Sequence, residues 1–70
     1  MTYTYTRHYV LRFVTWKTIA AETIKDIAYL HSLDNRDSWQ YTDTTDKYHY
    51  QRTYIFDNPD DYAAFVLARG

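Results

Sequence analysis

The chain has 70 residues, no cysteine and a formal net charge of −1. This length predicts a single domain over residues 1–70, near the lower limit for a chain that folds without a disulfide or a metal. Without cysteine there is no disulfide, iron–sulfur cluster or thiolate zinc site, and the balanced charge argues against tight non-specific binding to duplex nucleic acid. No apolar run approaches the length that spans a bilayer, so we expect a soluble, cytoplasmic protein.

The first two segments differ in the period of their apolar residues. Residues 3–14 alternate, which is typical of a β-strand; one face of this strand carries Tyr3, Tyr5, Tyr9, Leu11 and Phe13. From residue 16 onward the apolar residues recur at helical spacing, which predicts an amphipathic helix. Its buried stripe holds Trp16, Ile19, Ala20, Ile24, Ile27 and Leu30, and the same spacing can continue to Leu33. Thr15 or Thr18 caps this helix, and its solvent side carries Lys17, Glu22, Lys25 and Asp26.

A polar connection over residues 34–38 leads to a predicted β-hairpin. The strands of the hairpin cover residues 39–43 and 47–56, and its turn lies near Thr44 and Thr45. Because the turn contains no glycine, a longer turn is favoured over a tight primed turn.

A second helix follows in the order that helix starts prefer. Asn58 is the expected cap and Pro59 takes the first helical position. Tyr62, Phe65 and Val66 form the stripe that we expect to be buried.

These elements predict an α+β fold with the order strand, helix, strand, strand, helix. We expect a three-stranded antiparallel or mixed sheet in the order 2-3-1, with the third strand parallel to the first and both helices on one face. The arrangement resembles a ferredoxin-like fold that lacks its last strand. That resemblance implies that the first strand is a free edge, which pairing with a second copy would protect; the expected dimer edge is Tyr3, Tyr5, Arg7 and Tyr9.

The aromatic residues decide which face of the sheet the helices cover. One parity of the strands holds nearly all the aromatic side chains, so the helices must lie on that face. The surplus is expected to protrude at the strand ends, namely Tyr3, Tyr5, Tyr41 and Tyr48, together with Arg7 and Arg52. Aromatic and arginine side chains at a rim are typical of protein interfaces, so the predicted partner-binding rim is Tyr41, Tyr48 and Arg52.

Catalytic and metal chemistry are not expected from the residue pattern. The histidines His8, His31 and His49 have no carboxylate in metal-ligand spacing, and the acidic clusters lack the spacing and glycine of a calcium loop. No nucleophile lies in a catalytic pattern, and no glycine-rich loop could hold a phosphate. We therefore expect no enzyme activity, no cofactor and no metal.

Two binding functions remain. The first is a non-catalytic, homodimeric protein-binding module; short chains of this composition resemble in style the small accessory proteins of tailed phages, which implies binding to and inhibition of a host protein. Acidic loop residues would then face a basic target, unless they serve solubility alone: Asp34, Asp37, Asp43, Asp46, Asp60 and Asp61. The alternative is a single-stranded nucleic-acid-binding domain that uses the polar sheet face, with His8, Arg12, Lys47, His49 and Gln51.

Overall fold

A computed structural model describes residues 1–33 and 38–70. The described elements are β1 (Tyr3–Val10), α1 (Trp16–His31), β2 (Trp39–Thr45), β3 (His49–Phe56) and α2 (Pro59–Arg69). The predicted order of elements is therefore confirmed. Most of the predicted polar connection, including Asp34 and Asp37, lies outside the described residues.

Both helices begin at side chains that bind exposed backbone amides. Thr15 is the N-cap of α1, and its hydroxyl accepts a hydrogen bond from the Thr18 amide at 3.2 Å. Asn58 caps α2 by accepting from the amides of Asp60 and Asp61, and Pro59 follows in the first turn. The Asn58–Pro59 start is confirmed, and of the two threonines offered for α1 the first is the cap.

The sheet has the order β1-β3-β2, as predicted, and β3 is antiparallel to both neighbours. The expectation of a parallel first and third strand is wrong. Helix α1 returns the chain to the end of the sheet where β1 began, so β2 runs parallel to β1 as a non-neighbour. The hairpin then reverses the chain, and β3 runs against both.

Two boundaries differ from the prediction. Strand β1 ends at Val10 rather than residue 14, because the amides of Phe13 and Val14 turn back to donate to the Val10 carbonyl. The hairpin turn lies at residues 46–48 rather than at Thr44 and Thr45. Asp46 stabilises it, since its carboxylate accepts from the amides of Tyr48 and His49 at 2.8 and 2.7 Å.

The core lies between the aromatic face of the sheet and the two helices. Its fully buried cluster is Leu30, Tyr54, Phe56 and Phe65. The Phe65 ring of α2 packs against the rings of Tyr5, Tyr54 and Phe56, with centroids 5.0–5.6 Å apart. The prediction that both helices cover the aromatic face is confirmed.

The buried face of α1 was predicted with errors. Trp16 and Ile24, expected in the core, are 58% and 69% exposed, whereas Asp26, expected in solvent, is fully buried. Ile19 and Leu30 are buried as expected. The helix is thus rotated about its axis relative to the prediction, so that Asp26 points at the sheet.

Candidate functional site

A buried carboxylate lies at the centre of the molecule. Asp26 accepts two hydrogen bonds from the Arg7 guanidinium at 2.6 and 3.0 Å, one from Arg69 at 2.9 Å and one from the Tyr54 hydroxyl at 2.9 Å. Burial by itself would raise the pKa of Asp26, but the hydrogen bonds from Arg7, Arg69 and Tyr54 outweigh it and hold the pKa below its ordinary value. The group is therefore a charged structural centre.

The bonds around Asp26 connect four elements. Arg69 also binds Glu22 at 2.9 Å, and Arg7 donates to the Arg69 carbonyl at the end of α2. The expectation that Arg7 extends into solvent is wrong, because its side chain is turned inward and satisfied by Asp26. Arg7 thus lies in the predicted dimer-edge strand but contributes to the fold.

Arg52 is held in a second polar cluster between β2, β3 and α1. Its guanidinium donates to both carboxylate oxygens of Asp43, to the Thr23 hydroxyl and to the Tyr50 hydroxyl, and lies over the Tyr41 ring at 5.0 Å. The hydrogen bond from Arg52 is the main reason that the pKa of Asp43 lies below its ordinary value. Arg52 is only 8% exposed, so its predicted place on an open rim is wrong.

The rest of the predicted rim is open to solvent. Tyr41 and Tyr48 are both exposed, as expected. Tyr3 and Tyr5, also expected to protrude, are instead half-buried, because Tyr3 stacks on Tyr62 and Tyr5 meets the edge of Phe65.

Among the described strands, β1 lies at an edge of the sheet and has β3 as its one neighbour. All eight of its residues pair with β3 in continuous register, without a bulge. Helix α2 runs above this edge, since Tyr62 stacks on Tyr3. Val66 lies one turn after Tyr62 on the same side of the helix, beside Ala63 and the 87% exposed Leu67. The part of this flank that Ala63, Val66 and Leu67 form carries no charge, and Arg69, one turn further along α2, is paired with Asp26 and Glu22.

A group of aromatic and basic residues lies at the end of the sheet where β1 ends and β3 begins. We name it the aromatic end, and its residues are Arg12, Phe13, Trp16, Lys47, Tyr48 and Tyr50. The Leu11 amide donates to the Tyr48 carbonyl at 2.8 Å, which places the turn after β1 beside the hairpin turn. The Trp16 ring meets the Tyr50 ring edge-on at 5.5 Å. Phe13 and Tyr48 are 79% and 61% exposed.

The outer face of the sheet holds the remaining residues of the predicted nucleic-acid face. The rings of His8 and His49 lie 5.2 Å apart, and Gln51 is directly opposite His8 on β3. Arg12 and Lys47 lie just beyond the strands, at the aromatic end. The structure thus brings the five predicted residues to one corner of the molecule, partly on the outer face and partly at its end.

Two surface hollows have volumes of about 110 and 130 Å³, below the 300–1,000 Å³ that is usual for a small-molecule site. Within residues 1–33 and 38–70, no group of three or more His, Asp or Glu side chains could hold a metal ion. No helix in these ranges is both long and apolar enough to cross a bilayer.

No protein-family model, no curated protein and no solved structure matches this chain significantly.

Proposed function

We propose that this protein is a non-catalytic protein-binding module that pairs with a second copy through the edge of β1. The observation that supports this most is the lack of protection on that edge. Natural edge strands usually carry lysine, proline, a bulge or an inward charge that prevents pairing. The outer face of β1 offers only Thr4, Thr6, His8 and Val10, and the charge on its inner face, Arg7, is neutralised by Asp26.

A second copy fits this edge because two identical β1 strands can pair antiparallel about a two-fold axis. When two β1 strands pair antiparallel with all helices on one face, a residue on the two-fold axis lies opposite its own copy. An axis at Arg7 would bring two guanidinium groups together, so we place it at Thr6. The uncharged flank of α2, with Ala63 and Val66, then faces the same flank of the second copy.

The size of this contact also suits a dimer. Eight residues of strand are about 26 Å long, and one sheet layer with one helix layer is about 20 Å thick. The contact is therefore about 500 Å² on each copy and about 1,000 Å² in total, the lower limit for a specific interface. We expect a dimer that dissociates in the micromolar range.

We extend the proposal to the fold family, the location in the cell and the biological role of the protein. The likeness to a ferredoxin-like fold without its last strand remains an expectation, supported by the β1-β3-β2 order. A cytoplasmic location is supported by the lack of cysteine. We also retain the expectation of a phage-type accessory role in which the dimer binds and inhibits a host protein.

Two matched lysine substitutions test the dimer edge. Thr6 of β1 and Thr42 of β2 are both exposed on the outer face, and both pair with Thr53 of the central strand. In Thr6→Lys the Cβ atoms of the two lysines of a dimer would lie about 5 Å apart, and like charges directly opposite each other disfavour pairing. Thr42→Lys adds the same charge at the other edge of the sheet.

Sedimentation velocity from low to high micromolar concentration distinguishes the outcomes. We expect a dimer for the unsubstituted chain and for Thr42→Lys, and a monomer for Thr6→Lys. A chain that is monomeric throughout this range would refute the dimer. Dimers for both variants, or loss of the dimer in Thr42→Lys alone, would show that β1 is not the interface.

A further inference from the structure

The aromatic end presents exposed rings next to cations. The Arg12 guanidinium lies 5.8 Å from the Phe13 ring centre, and the Lys47 ammonium lies 5.6 Å from the Tyr48 ring centre. Both rings remain largely exposed, so their other faces and edges are free for contact. Two ring–cation pairs thus lie side by side at this end of the sheet.

The charge at this end is positive. Among the described residues, Arg12, Lys17 and Lys47 take part in no ion pair. The hairpin turn carries one carboxylate, that of Asp46, and this group already accepts two backbone hydrogen bonds. Helix α1 also begins here without an acidic residue in its first turn, so its positive dipole end adds to the field.

The negative net charge of the chain does not cancel this field. Asp57, Asp60 and Asp61 follow β3 at the far end of the sheet. The eight residues of β3 separate the two ends by about 26 Å. That is more than twice the Debye length of about 8 Å at physiological ionic strength. An anion at the aromatic end is therefore screened from these carboxylates.

We propose that the aromatic end binds single-stranded nucleic acid. Such strands alternate a phosphate with a flat base, and proteins bind them by combining cations with rings on which the bases stack. An acidic peptide would use Arg12 and Lys47 but would leave Phe13 and Tyr48 without a stacking partner. The paired rings of His8 and His49 on the adjoining outer face extend the stacking surface.

Fluorescence anisotropy with a labelled oligothymidine, measured over a series of salt concentrations, tests this proposal. Arg12→Ala and Lys47→Ala should each reduce the slope of log affinity against log salt by about 0.7. Phe13→Ala and Tyr48→Ala should weaken binding about 5- to 150-fold without changing that slope. All four side chains are exposed, so the circular dichroism spectrum should not change.

Matched controls lie elsewhere on the surface. Lys25 is an exposed cation that forms no ion pair with the residues that the structure describes, and Leu67 is an exposed apolar residue of α2; replacing either by alanine should leave the affinity unchanged. Losses in these controls equal to those at Arg12 and Phe13 would overturn the proposal, as would no binding at low salt. Equal competition by polyglutamate would also overturn it and would indicate an acidic protein as the ligand. None of the four test residues lies in β1, so the outcome is independent of the dimer.

Discussion

Replacing Asp26 by alanine should destabilise the protein more than any single surface change. The variant would leave the guanidinium groups of Arg7 and Arg69 and the hydroxyl of Tyr54 without their common acceptor. Removing one partner of a buried ion pair costs about 3–5 kcal/mol. A chain of 70 residues has an expected unfolding free energy of about 4–10 kcal/mol. The Asp26→Ala variant should therefore lose about 30% or more of the unfolding free energy.

Urea unfolding followed by circular dichroism measures this loss. Lys25→Ala is the matched control, because Lys25 is the neighbouring residue but is exposed and unpaired, and should change the free energy by less than about 0.5 kcal/mol. Tyr54→Phe removes one hydrogen bond to the charged carboxylate and should cost about 1.5–3 kcal/mol. All variants must be compared at one protein concentration, since a dimer would add to the apparent stability. Equal urea midpoints for Asp26→Ala and Lys25→Ala would show that the network contributes nothing to stability.

Two further predictions concern acid and the start of α2. The pKa of Asp26 is lower in the folded chain than in the unfolded chain. The contribution of Asp26 to stability is therefore complete above the unfolded pKa of about 3.9 and is lost as pH falls through the folded pKa. Urea midpoints should fall steeply in this acid range, and less steeply in Asp26→Asn. A midpoint that is flat down to the folded pKa would contradict this reasoning. Asn58→Ala removes the cap of α2 and should cost about 0.5–2 kcal/mol in the same assay, against little change for the exposed neighbour in Asp57→Ala.

Local sequence patterns predicted the elements but not the rotation of α1. Thr15, Asn58 and Pro59 act at short range, so the helix starts could be recognised without knowing the fold. Hydrophobicity alone placed Ile24 inside and Asp26 outside. The spacing held a contrary signal, because Asp26 follows Ile19 by seven residues and precedes Leu30 by four, which puts all three on one helix face. A carboxylate there required buried cations, and those come from β1 and α2.

The sequence also predicted only part of the candidate surfaces. The free edge of β1 follows from the order of elements, and the outward parity of His8, His49 and Gln51 follows from strand alternation. The burial of Arg52 could not be read in this way, because its acceptors Asp43 and Thr23 come from two other elements. The aromatic end was missed since it forms where two turns meet, and alternation says nothing about turns.

The residues that donate hydrogen bonds to Asp26 are synthesised at different times, and this order affects when the domain can fold. Arg69 follows Asp26 by 43 residues, and Phe65, which fills the core against β3, is also made late. A nascent chain without α2 would have to bury a carboxylate with one guanidinium and leave the aromatic face of the sheet half covered. Partial chains therefore gain little by folding early. We expect the domain to form in one step, after α2 has been synthesised.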